Sequence, residues 1–315
     1  MTMTTAPAQP AFPATAGHAP GGPTSRSGRP PRDAARSRLS ARPSRTSTII
    51  LLLGAVYCLL PVAWVLVAST KSAGELFSTF TFAPSTHLVD NVKELSAYRG
   101  GLFWRWMANT ALYAGVGGVL SVGVSAMAGY GLAKYQFVGK KAAFNVLLAG
   151  VLVPGVVLAI PQYLLLAKVG LTNTYWAVLL PSIISPYGIY LARIYAAASV
   201  PDDVIEAART DGAGEGRVFR SIAVPMMLPG LVTVFLFQFV AIWNNFMLPY
   251  IMLGNDRLFP LTVGLSGLLN QGASVPAMYT SVITGALLSI VPLVALFLTL
   301  QRYWQVDLAA GAVKA

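Results

Sequence analysis

Ser199-Val200-Pro201-Asp202-Asp203-Val204-Ile205-Glu206-Ala207-Ala208-Arg209-Thr210-Asp211-Gly212 is a polar interruption in an apolar chain. Together with Glu215 it carries five of the eleven acidic residues. Ser199 and Asp202 have the spacing of a capping box, and acids in a first turn suit the positive end of a helix dipole. Gly212 suits a helix stop, because it takes the left-handed conformation without penalty. A second short helical stretch over 213–223 ends at Val224-Pro225. The segment therefore predicts two short helices meeting at a glycine. Val204, Ala207 and Ala208 share a face at three- and four-residue spacing, and alanines there let a partner approach closely. On these grounds two readings stay open: a helix pair that docks into another protein's groove, or a solvated amphipathic connector.

Outward from this loop the chain is built for lipid. Of 315 residues, 55% are hydrophobic and 10% charged, against roughly 25% charged in ordinary soluble domains; the mean hydropathy is +0.63. A helix needs about 20 apolar residues to cross a bilayer. Six blocks qualify, at about 48–69, 108–133, 142–167, 175–196, 228–251 and 280–300. Apart from Arg193 near the foot of the fourth, charges occur only at their ends, as expected where charge at the bilayer centre is costly. Pro61, Pro154, Pro161, Pro181, Pro186 and Pro292 fall inside blocks and are read as kinks, since neighbouring helices or water re-satisfy the freed carbonyls. The expected architecture is an all-α polytopic membrane protein, with a membrane domain over 48–301.

The net charge of +11 orients that domain. Seven arginines precede the first block, between Arg26 and Arg45. With both termini inside, sixteen of the twenty-two basic residues fall on inner segments and six on outer ones (Lys71, Lys93, Arg99, Arg105, Lys168 and Arg257). Such a bias places both termini in the cytoplasm of a multi-pass cell-membrane protein. The basic residues flank apolar blocks and lack interleaved aromatics, which suits anionic headgroups of the lipid bilayer rather than nucleic acid.

Residues 1–47 are rich in Pro, Ala, Gly, Ser, Thr and Arg and are expected to be a disordered cytoplasmic tail; residues 302–315 form a short cytoplasmic C-terminal tail. An Arg-rich, acid-poor start also has the composition of an organelle transit peptide, but no amphipathic helix is evident in it. The first block exceeds the apolar core of a cleaved signal and is expected to remain as an anchor. Cys58 is the single cysteine and reads as packing; His18 and His87 lie in unrelated segments, so no metal site is expected.

The acidic loop, 197–227, lies between the fourth and fifth blocks. Glu206-Ala207-Ala208, then Gly212, then Ile222-Ala223-Val224-Pro225, resembles the EAA loop of binding-protein-dependent ABC transporter permeases, with Val224 where the usual pattern has Leu. Further stretches resemble the carbohydrate branch of maltose-type and glycerol-phosphate permeases. These are Asn109-Thr110-Ala111-Leu112-Tyr113, Tyr130-Gly131-Leu132-Ala133-Lys134, Trp243-Asn244-Asn245-Phe246 (usually Trp-Asn-Asp-Phe) and the ending Leu308-Ala309-Ala310-Gly311-Ala312-Val313-Lys314. The likeness covers about 50–315.

The resemblance implies a six-span maltose-permease-like fold and an ATP-driven importer. Its partners would be a second permease subunit, an ABC ATPase dimer and an extracellular solute-binding protein that delivers a sugar, a di- or oligosaccharide. It also implies coupling to the ATPase through Glu206, Ala207, Ala208, Asp211, Gly212, Ile222 and Pro225, with Glu206 the ionic contact and Gly212 the bend. No catalytic residue or cofactor is expected on this chain: it has no phosphate-cradling glycine-rich motif, and ATP and magnesium would sit on the partner ATPase. The loop 252–279 lies where that branch reaches toward the binding protein.

Polar side chains inside a span are candidates for a solute path. Gln238, Trp243, Asn244 and Asn245 fit, because amides meet sugar hydroxyls and an indole meets an apolar ring face; helix–helix hydrogen bonding is the competing reading. Glycerol 3-phosphate or another polyol is the alternative cargo. An ion-coupled carrier or a membrane enzyme would need ionisable groups within the spans, and none is visible there.

Overall fold

The computed structural model describes residues 45–272 and 274–312. The expected disordered tail therefore lies outside the described residues except for its last three, and so do Val313-Lys314-Ala315. Contacts divide the chain between Val56 and Tyr57. The helix α1 (Arg45–Ala68) runs through that boundary and exposes Ile50, Leu51, Leu59 and most of its other apolar side chains.

The remaining helices are α2 (Ala73–Ser78), α3 (Leu88–Ala97), α4 (Leu102–Lys134), α5 (Lys140–Leu152), α6 (Gly155–Lys168), α7 (Tyr175–Ile183), α8 (Pro186–Ser199), α9 (Asp202–Thr210), α10 (Glu215–Val218), α11 (Val224–Trp243), α12 (Met247–Met252), α13 (Leu261–Gly272) and α14 (Ala277–Ala312). Among the described residues five helices, with α7–α8 counted as one and α10–α11 as another, are long and apolar enough to cross a membrane; there are six if the bent pair α5–α6 is one span.

That pair departs from the expected kink. α5 and α6 meet at 104°, because Val153, held extended at φ −78° and ψ 121°, precedes Pro154, which disfavours helical conformation in the residue before it and supplies no N–H. Pro61, Pro161, Pro181 and Pro292 do lie inside helices, whereas Pro186 opens α8 behind the Ser185 cap. The expected fifth block also shifts. Its helix ends at Trp243, and α10 continues through a π-turn at Phe219–Ala223 directly into α11.

α4 is the axis of the second unit. Gly117, Ser121, Ser125 and Gly129 recur at four-residue spacing and are all buried, a stripe of small residues that lets helix backbones approach in lipid. At Gly129 the approach is tightest: an added Cβ would lie 2.6 Å from the Arg193 backbone nitrogen and 2.7 Å from Ala192 Cβ.

Near its start, α4 holds a distant loop. Trp106 Nε1 donates to the Asp256 carbonyl at 2.8 Å, Asn109 Nδ2 to the carbonyls of Arg257 (2.9 Å) and Phe259 (3.0 Å), and Tyr113 OH to that of Leu258 (2.9 Å). Thr110 Oγ1 accepts from the Leu261 N–H at 2.7 Å. Asn173 joins that end too, its N–H donating to the Met252 carbonyl and its Oδ1 accepting from Gly254 and Asn255.

Candidate functional site

At the other end of α4 sits the acidic loop. Its first helix, α9, begins without a side-chain cap: Pro201 holds the N-cap position and Ser199 is the last residue of α8, so the expected Ser199 capping box does not form. Asp202 instead pairs with Lys134 Nζ at 2.7 Å. The C-terminus closes as glycine predicts. Gly212 has φ +83°, its N–H donates to the Arg209 carbonyl at 3.0 Å, and the Ala213 N–H donates to that of Ala208 at 2.9 Å. These are the two closing bonds of a left-handed glycine cap.

The faces of α9 differ from the expected stripe. Ile205 and Ala208 are buried, against Ala126 and Tyr130 of α4, Ala192 and Ala196 of α8, and Val218 and Ala223 beyond the glycine. Val204, Glu206, Ala207 and Asp211 are exposed. Ala208 is therefore a packing residue, and the free face joins Val204 and Ala207 with the Glu206 and Asp211 carboxylates. Ile222 is half-buried at the edge of the same cluster, and Pro225 is exposed in the first turn of α11.

A polar brace the sequence did not suggest supports this loop. Arg209 Nε bonds Glu215 Oε1 at 2.7 Å, and Tyr135 OH donates to Glu215 Oε2. Burial, and then the bond to Glu215, push the Tyr135 phenol well above its ordinary value, so it remains a donor at neutral pH. Tyr135 and Phe219 each pack a ring on Tyr130, at 5.7 and 5.3 Å. Nothing in the spacing of residues 130, 135, 209, 215 and 219 shows that they meet.

The solute-path candidates separate. A cavity of about 430 Å³ lies where the α5–α6 and α7–α8 breaks face α11. Gln238 and Asn245 line it, joined by Gln162, Ser182 and Ser185. Gln238 is buried and donates through Nε2 to Ser185 Oγ at 2.7 Å, which itself caps α8 by accepting from the Gly188 N–H at 3.0 Å. Asn245 Oδ1 accepts from Leu248 N–H at 3.4 Å. Trp243 is 3% exposed and stacks on Phe239 at 5.4 Å, in the core rather than at the cavity. Asn244 is exposed and donates to its own helix, to the Val240 carbonyl at 2.9 Å. Gln162 carried a readable signal, an amide after Pro161 inside an apolar block. Ser182 and Ser185 carried none, since hydroxyls are common in such helices.

Residues 121–305 match the family described as binding-protein-dependent transport system inner membrane component. The chain is 35% identical to the arabinooligosaccharides transport system permease protein of Halalkalibacterium halodurans, over 81% of this chain and 90% of that one. It is 32% identical to the protein of the same name in Bacillus subtilis, over 85% and 94%. Among solved structures, it superposes with a TM-score of 0.70 on a bacterial ABC transporter involved in the import of the acidic polysaccharide alginate. That match is 21% identical and covers 86% of this chain and 98% of that one, which bears on the fold alone.

Proposed function

Since the chain belongs to the family of binding-protein-dependent transport system inner membrane components, we propose that it is a permease subunit of an ATP-driven importer whose cargo is an oligosaccharide. The observation that carries this reading is the free face of α9: small residues and carboxylates outward, Ile205 and Ala208 inward, on a helix closed by Gly212. A partner ATPase that grips this face pushes on α4 and α8 through Ile205 and Ala208, and on α11 through the continuous run from Glu215. α8 and α11 also wall the cavity, so one packed body joins the gripped face to the solute path.

The same reading takes six crossings with both termini cytoplasmic, and contacts within the second unit support the path from α4 to α11. The Lys134–Asp202 and Tyr135–Glu215 bonds place the 134–140 turn and the acidic loop at one end. The chain leaves that end in α5 and returns to it in α8, so with α7–α8 as one crossing the bent α5–α6 pair is also one. The binding of Asn173 to Met252, Gly254 and Asn255 at the opposite end fits this path.

The cavity favours a neutral cargo. Its described lining offers amides and hydroxyls and neither Lys nor Arg, which suits sugar hydroxyls better than the phosphate ester of glycerol phosphate. A solute-binding protein would deliver the sugar, and a second permease subunit would complete the path. Cells lacking this chain should lose uptake of a labelled arabinooligosaccharide, regain it from a plasmid copy, and take up glycerol 3-phosphate normally. Loss of glycerol 3-phosphate uptake with oligosaccharide uptake intact would replace the proposed cargo.

A further inference from the structure

A second concavity, of about 440 Å³, lies where the turn after α4 meets α5 and the foot of α8. Its polar lining is Lys140, Lys141, Arg193 and Gln136, and its apolar walls include Leu132, Phe137 and Phe144. The Arg193 guanidinium lies 4.0 Å from the centre of the Phe144 ring, which is itself stacked on Tyr190 at 6.4 Å, so an aromatic platform holds this cation in place. Lys140 Nζ donates to the Tyr135 carbonyl at 2.8 Å, which leaves two of its three N–H groups free.

Among the described residues none of these three cations has a carboxylate partner; the nearby Asp202 and Glu215 are paired with Lys134 and Arg209. α5 has Gly139 at its N-cap and no side-chain cap, so the positive end of its dipole adds to the same field. Three uncompensated cations held together repel one another unless an anion joins them.

The membrane can supply that anion. Phe137 and Val138 on the same turn are 49% and 104% exposed, apolar side chains beside lysines as at a lipid interface. We propose that this concavity binds the phosphate of one anionic phospholipid, with Lys140, Lys141 and Arg193 on the phosphate and Phe137 and Leu132 against the glycerol and first methylenes. The site lies at the same end of the molecule as the acidic loop, so a bound lipid would brace the turn that carries Tyr135.

The full chain with its partner subunits, purified in a neutral detergent, would be titrated with phosphatidylglycerol, phosphatidylcholine or inorganic phosphate, and bound lipid read by native mass spectrometry. Phosphatidylglycerol should be retained and phosphatidylcholine lost. Lys141→Gln, at an exposed position, and Arg193→Gln should each lower phosphatidylglycerol affinity about fivefold. Phe137→Ser should lower it while leaving the weak binding of inorganic phosphate unchanged. Equal retention of both lipids, undiminished phosphatidylglycerol binding in Lys141→Gln with an unaltered melting temperature, or displacement of the lipid by equimolar inorganic phosphate would each overturn the assignment. So would an ATPase subunit covering Lys141 in the assembled complex.

Discussion

Two loops are held by the two ends of one helix, and they are held differently. Near the start of α4, neutral side chains (Trp106, Asn109, Thr110 and Tyr113) bond backbone groups of the 256–261 segment, with Arg105 Nε on the Arg257 carbonyl and an Arg99–Asp256 ion pair added at its exposed side. At its finish, the acidic loop is held by packing from beneath and by charged or phenolic contacts at the rim, Lys134 with Asp202 and Tyr135 and Arg209 with Glu215. Part-buried carbonyls deprived of donors cost more than exposed ion pairs that water and salt replace. The difference separates a loop that is fixed from a loop that is braced yet leaves its outer face free, as the proposed coupling to a moving partner requires.

The largest effect should come from breaking the braced end at its backbone. Gly129→Val would drive side-chain atoms into the Arg193 backbone, which cannot turn aside as a side chain can. A loss of roughly 3 kcal/mol, the upper part of the overpacking range, is expected. Melting of the purified chain in detergent reads it, and an unchanged melting temperature would contradict the packing described for the α4–α8 crossing.

Breaking the fixed end comes next. Asn109→Ala strips Nδ2 from the carbonyls of Phe259 and of Arg257, which keeps Arg105 Nε, and removes the Oδ1 that accepts from the Tyr175 hydroxyl, and about 1–3 kcal/mol should be lost. Because no ion pair is involved, the loss should be the same in low and high salt.

The smallest effect should come at the rim. Tyr135→Phe removes one bond to Glu215 and should cost about 0.5–1 kcal/mol. Arg209→Gln should cost a similar or smaller amount, and only at low salt, where exposed pairs are least screened. An Arg209→Gln penalty that persists in molar salt would erase the contrast between the two ends.

How much of this was legible follows from which forces act locally along the chain. Exclusion of charge from apolar blocks marked the membrane helices, and the glycine stop at Gly212 followed from its own backbone freedom. Asn109, Thr110 and Tyr113 stood out only as a family pattern, because their partners lie some 150 residues away and are backbone atoms that leave no sequence trace. The Ser199 cap misled because Pro201 occupies the N-cap position. Proline inside an apolar block suggests a kink, yet at Val153-Pro154 the helix breaks, and the cavity depends on that break and the one at Ser185. Trp243 has the right chemistry for a sugar ring, but its stacking on Phe239 keeps it in the core.

In the proposed function the free face of α9 passes ATPase closure to the spans. Glu206→Lys reverses the charge at that position and cancels the negative charge of the face without touching the buried Ile205 and Ala208. Gly212→Pro removes an N–H bonded to Arg209 and forbids the φ of +83°. In the reconstituted complex both variants should stay inserted and lose binding-protein-stimulated ATP hydrolysis. Stimulation at the wild-type level in both would contradict that function.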